Sequence, residues 1–144
     1  MTDKIFVDTN ILVYAYDLDA GDKRVKALVV VDRLWDEGNG ALSTQVLAEF
    51  FVTITRKVKQ PLPLPAARQI IEDYQKGWTV FPTTPEIVLQ AIDGVAQHRM
   101  SFWDAMIWAA AKLNGVITIY SEDAQSAQTI EGVRIENPLL DTIN

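Results

Sequence analysis

The sequence predicts an α/β fold, a parallel sheet covered by helices on both faces. Three observations carry that expectation. Short apolar runs alternate with longer segments of helical period. The clearest of those runs, Ile5-Phe-Val7 and Val116-Ile-Thr-Ile-Tyr120, are the continuous kind that parallel strands buried on both sides require. The 144 residues, 49% of them hydrophobic, are enough for one globular domain with a packed core.

Element by element, Lys4–Val7 reads as a strand broken by Asp8-Thr-Asn10, a turn or helix start. Ile11–Tyr16 and Lys23–Glu37 read as helices, the second stopped by Gly38-Asn-Gly40. A small strand, Ala41–Ser43, precedes the helix Gln45–Val58, whose Leu47, Phe50, Phe51, Ile54 and Val58 form a stripe near the 3.6 period. Pro61, Pro63 and Pro65 separate it from a helix at Ala66–Lys76, with Gly77 as its stop. Trp78–Phe81 is the next strand. Thr84-Pro85-Glu86 then supplies a capping threonine, a first-turn proline and an acid for a helix running to Gln97. Phe102–Asn114 is a further helix, Val116–Tyr120 the strongest strand, and Gly132–Glu136 a last short strand.

Composition removes several function classes. With no cysteine and a single histidine, there is no disulfide scaffold, thiolate metal site or cluster of imidazole ligands, and the cytoplasm is the expected compartment. The N-terminus lacks a signal-peptide core. The longest apolar run, Ala105–Ala111, is about a third of the roughly 20 residues a membrane helix needs. Net charge is −6. That speaks against a broad basic nucleic-acid surface, although several carboxylates gathered round a cation would produce the same bias.

In a parallel sheet, ligands bind beyond the carboxyl ends of the strands. Two predicted strands run directly into acids there, at Asp8 and at Asp123. Each also fits a helix N-cap. Asp104 is the only charge in Phe102–Ala111, a stretch apolar on every side, and it has no local cation at helical spacing. Ser101 three residues earlier gives it a capping-box reading as well. Glu49 sits mid-helix beside Phe50 and Phe51, again without a local cation, its alternative being a solvated place near Thr53 and Arg56. One site explains all four acids together. Two carboxylates about 5 Å apart repel by roughly 3 kcal/mol at an effective dielectric near 20, so the cluster calls for a hard divalent cation bound through oxygen, Mg²⁺ or Mn²⁺.

Four segments, Val7-Asp8-Thr-Asn-Ile-Leu12, Gln45-Val-Leu-Ala-Glu49-Phe, Ser101-Phe-Trp-Asp104-Ala-Met-Ile-Trp-Ala-Ala-Ala111 and Tyr120-Ser-Glu-Asp123, resemble the PIN-domain nucleases, and within them the VapC-like toxin ribonucleases. The terminal Asn137-Pro138 matches as well. The resemblance implies a single PIN-like domain over residues 1–144, three layers α/β/α with a five-stranded parallel sheet. It puts Asp8, Glu49, Asp104 and Asp123 on the catalytic and metal-binding quartet. Asn10 and Ser121 fall on supporting polar positions, with Glu122 a candidate additional acid. The implied reaction is hydrolysis of RNA phosphodiesters by activated water with one or two Mg²⁺ or Mn²⁺ ions. The implied partners are a small antitoxin and a second copy of the chain in a homodimer, with no membrane.

A phospho-accepting receiver lacks its aspartate after the middle strand here, and an aspartyl phosphatase would want a second aspartate where Asn10 stands. No Walker A or dinucleotide-binding glycine motif occurs. A catalytically weak PIN-like binding module and a DNA-directed nuclease are the remaining alternatives. For substrate grip, Arg56, Lys57 and Lys59 lie two turns beyond Glu49, and Arg99 precedes the Asp104 helix. Alanine at both Arg56 and Lys57 is expected to weaken RNA binding and flatten its dependence on salt; an unchanged slope in a salt titration would exclude the pair.

Overall fold

The computed structural model describes residues 3–123 and 127–140. Strand β1 (Ile5–Val7) leads through α1 (Thr9–Tyr16) and α2 (Asp22–Glu37) to β2 (Gly40–Ser43). Helix α3 (Thr44–Val52), a π-helical segment Thr53–Lys57 and α4 (Leu64–Gly77) connect β2 to β3 (Thr79–Phe81). Then come α5 (Pro85–His98), α6 (Phe102–Leu113), β4 (Thr118–Tyr120), β5 (Gln128–Ile130) and β6 (Val133–Glu136). No helix among the described residues is long and apolar enough to cross a membrane.

The sheet order is β3-β2-β1-β4-β6-β5. Five strands are parallel, as the sequence predicts, but β5 adds a sixth that runs antiparallel to β6. The count of five is therefore corrected to six. The two are joined by Glu131-Gly132 with φ of 48° and 84°, a two-residue turn with both residues left-handed, whose twist suits a hairpin. Glu-Gly is a weaker turn signal than Asn-Gly or Asp-Gly, and Gln-Thr-Ile is a short strand, so the hairpin left little trace in the sequence.

Neighbouring side chains on a strand point to opposite faces, and Phe6 and Val7 are both 0% exposed. The sheet is thus covered on both sides around β1, which is what the apolar runs predict. From β1 the chain works outwards to β2 and β3 on one side, then returns to place β4 on the other. Strand order reverses between β1 and β4, and a crevice opens beyond their carboxyl ends.

Two predicted helix ends move. Residues Gln45–Val58 do not form one α-helix: the α-helical pitch ends at Val52 and Thr53–Lys57 is π-helical. The β-branched run Val52-Thr-Ile-Thr55 is a poor α-helix former, and the Thr55 hydroxyl donates to the Phe51 carbonyl at 2.6 Å, the kind of back-bond that bends a helix. Gly77 is the last residue of α4 rather than its stop. Its small size is used differently, because a Cβ there would lie 1.9 Å from the Trp35 ring.

Helices α5 and α6 pack closely enough that a Cβ on Gly94 would meet the Trp108 ring at 2.8 Å. Trp108 is fully buried and its indole N–H donates to the Ile130 carbonyl at 3.1 Å, so the ring has no room to move. Gly94→Ala should gain about 1 kcal/mol of helix propensity and lose roughly 1–3 kcal/mol to overpacking. A net fall in stability is expected, read as a lower midpoint of urea unfolding.

Candidate active site

Asp8 follows β1 directly and caps α1, its Oδ1 accepting from the Thr9 N–H at 2.6 Å. Its Oδ2 accepts from the Ser121 hydroxyl at 2.8 Å, and its own N–H donates to the Tyr120 carbonyl at 2.9 Å. Ser121 Oγ in turn accepts the Asp123 N–H at 3.2 Å. The loop after β4 is thereby tied to the start of α1. Asp104 enters from a third direction, in the first turn of α6, where its N–H is capped by Ser101 Oγ at 3.3 Å. Asp8 thus caps α1 through one carboxylate oxygen and Asp104 is capped through its backbone N–H, and neither role prevents the carboxylates from forming a site.

Carboxylate oxygens of Asp8, Asp104 and Asp123 lie within 4.8 Å of one another. Glu49 is not in that group of three, but it lines the same crevice from α3 and is half-buried. Its Oε1 accepts from Thr9 Oγ1 at 3.3 Å and from Gln45 Nε2 at 3.0 Å. Asn10 accepts the Glu122 N–H at 3.2 Å, holding the β4 loop on α1. Glu122 itself turns away from the three acids. It accepts from the Tyr14 hydroxyl at 2.8 Å and pairs with Lys23 at 3.0 Å.

Thr9, Gln45 and Tyr14 are not among the site residues expected from sequence; Lys23, a candidate cation for substrate, is paired with Glu122 instead. Only Gln45, one turn before Glu49, carried a local signal; the others depend on how distant segments meet.

Burial is the main cause that pushes the Asp8 carboxyl up from 3.8 to about 6, and Asp123 and Asp104 push in the same direction against the Ser121 and Thr9 hydrogen bonds. Asp123 is raised as well, by burial and then by Asp104 and Glu122. A folded-state pKa above the unfolded one means that this contribution to stability is present at low pH and is lost as pH rises through about 6. At neutral pH the ion-free cluster therefore works against folding, and a bound cation removes that opposition. Three oxygen donors of a hard, anionic kind, one of them steadied by a serine, fit Mg²⁺ or Mn²⁺.

Two clefts meet at the acids and share Asp8, Asp104, Ile107 and Asp123. One runs past His98, Arg99, Met100 and Ser101. The other runs past Asn10, Tyr14, Thr53, Val58 and Trp103. Arg99 holds a left-handed φ of 56° at the end of α5, and His98 Nε2 lies 2.6 Å from Glu131 Oε2. Arg56, Lys57 and Lys59 are exposed on the segment whose Thr53 and Val58 line the second cleft; they do not line it themselves.

No curated protein matches the chain. Among solved structures, VapC20 of Mycobacterium tuberculosis, described as a Sarcin-Ricin loop cleaving toxin, superposes with a TM-score of 0.65 at 21% identity, over 85% of this chain and 92% of that one. A toxin-antitoxin complex from Klebsiella pneumoniae gives 0.68 at 18% identity, over 94% and 98%. The DNA-bound VapBC of Salmonella typhimurium gives 0.65 at 16% identity, over 95% and 99%. These likenesses concern the fold. The PIN domain family model, in contrast, matches residues 5–131 of the sequence itself, and the chain belongs to the PIN domain family.

Proposed function

We propose that the protein is a Mg²⁺- or Mn²⁺-dependent endoribonuclease that hydrolyses RNA phosphodiester bonds, and that it is the toxin of a cytoplasmic toxin–antitoxin pair. The observation that carries the reading is the approach of three carboxylates to within 4.8 Å at the point where strand order reverses. Membership of the PIN family and the toxin neighbours support it. The complexes among those neighbours support a small antitoxin as partner, and a homodimer follows from the family resemblance.

Asp8, Asp104 and Asp123 would hold one or two divalent ions, with Glu49 completing the site. When bound, such ions lower the pKa of water and stabilise the leaving oxygen of a phosphodiester. The chain's own part is to orient. Ser121 fixes the Asp8 carboxylate, while Thr9 and Gln45 fix Glu49, whose carboxylate would accept a hydrogen bond from the attacking water. Water adds to phosphorus and yields a proton to solvent, the bond from phosphorus to one ribose oxygen breaks, and that oxygen takes up a proton from solvent. Asn10 keeps the Asp123 loop in place. Arg99, with Arg56, Lys57 and Lys59 further out, attracts the phosphate backbone to an otherwise acidic protein.

Purified protein is expected to cleave a mixed RNA pool with Mg²⁺ or Mn²⁺ and not in EDTA, and Asp8→Asn is expected to abolish cleavage. Asp8→Asn should unfold no more easily than the wild type in EDTA at neutral pH, because it removes a buried charge; lost cleavage is then lost chemistry. If wild type and Asp8→Asn cut equally, the nuclease reading falls.

Ser121→Ala removes the hydrogen bond that orients Asp8. A fall of roughly 10–100-fold in metal affinity, measured by calorimetry with Mn²⁺, is expected. An unchanged affinity would show that Asp8 needs no such support.

A further inference from the structure

We infer that Trp103 is a stacking platform for an unpaired nucleobase beside the carboxylates. This deepens the nuclease reading and rests on it. Trp103 is 61% exposed, a large apolar surface for a tryptophan to leave in water. Several other large apolar side chains are exposed, but among the described residues Trp103 is the only one of them that lines a cleft containing the carboxylates. It immediately precedes Asp104 in the first turn of α6. Successive helix positions are about 100° apart, so an acid directed at the phosphate leaves the indole on the adjoining wall. The Phe102 ring braces it at 5.2 Å with a 68° tilt.

The surroundings fit a base better than a protein side chain or a phosphate. Trp103 shares its cleft with Val58 on one hand and with the polar Asn10, Thr53 and Tyr14 on the other, a mixture that suits a flat aromatic group with polar edges. The other cleft, beyond the acids, carries Arg99. A strand crossing the carboxylates would therefore have one flank on an aromatic surface and the other beside a cation. Stacking on a side chain requires the base to leave its own helix, which duplex nucleic acid resists and a loop or single strand permits.

The test uses the full-length protein with Ca²⁺ in place of the catalytic ion and a short unpaired RNA. Trp35, Trp78 and Trp108 are half-buried or buried and shielded from contact with RNA, so quenching that disappears in Trp103→Ala is assigned to Trp103. Quenching on RNA addition is expected in the wild type and absent in Trp103→Ala. The Kd should rise on the order of 10-fold in Trp103→Ala, with Trp103→Tyr restoring most of the loss. An RNA lacking one base beside the cleavage position should bind the wild type more weakly by a similar factor, and should bind Trp103→Ala no more weakly than intact RNA does.

Equal affinities of Trp103→Ala and wild type, with cleavage intact, would overturn the platform and leave the nuclease standing. Quenching and coupling without metal-dependent cleavage would overturn the nuclease and leave the platform. A change of sedimentation coefficient in Trp103→Ala, with no effect on RNA affinity, would mean that a second copy of the chain covers the indole, and would also overturn it.

Discussion

The hydrogen bond from the Ser121 hydroxyl to Asp8 Oδ2 joins residues 113 positions apart in the chain, and the site depends on it. Asp8 ends β1 and Ser121 follows β4, strands whose pairing brings Val7 opposite Tyr120. The Asp8 N–H to Tyr120 carbonyl bond carries that register one step past the sheet, into the loops. Because Ser121 also accepts from the Asp123 N–H, one hydroxyl sets the spacing of two acids. Remove the adjacency of β1 and β4 and neither acid has a reason to meet the other. The helices on both faces fix that adjacency by burying Phe6 and Val7 together.

Much of this was legible in the sequence, for a physical reason. Asp8, Asp104 and Asp123 stand where apolar segments meet a polar boundary, and an acid placed there without a local cation is costly enough to need explaining. Ser121 and Asn10 came from the family resemblance; in the structure Ser121 donates to Asp8 and Asn10 accepts from the Glu122 N–H. Glu49 was harder, since its meaning depends on which face of α3 it occupies, and only Thr9 and the crevice reveal that. Glu122 was readable as an acid beside the site, but its partners Tyr14 and Lys23 lie 108 and 99 residues away. No local pattern encodes such a pairing. The π-helical turn and the β5–β6 hairpin were missed because each turns on a small local preference, a threonine back-bond in one and a Glu-Gly turn in the other.

Charge is what finally decides how the cluster is to be understood. The first turns of α1 and α6 both reach it, through Asp8 and Asp104, and the positive end of a helix dipole stabilises an acid by about 0.3–1 kcal/mol. Two such ends supply at most about 2 kcal/mol. Against them stand three carboxylate pairs within 4.8 Å, each repelling by up to roughly 3 kcal/mol at an effective dielectric near 20, and by less where water reaches Asp104 and Asp123. The backbone and its caps therefore do not cancel the repulsion, and burial first, with Asp123 and Asp104 adding to it, raises the Asp8 carboxyl to about 6. A proton neutralises one acid, whereas a divalent cation answers all three at once. The arrangement is costly as a structural device and coherent as a site for a metal ion.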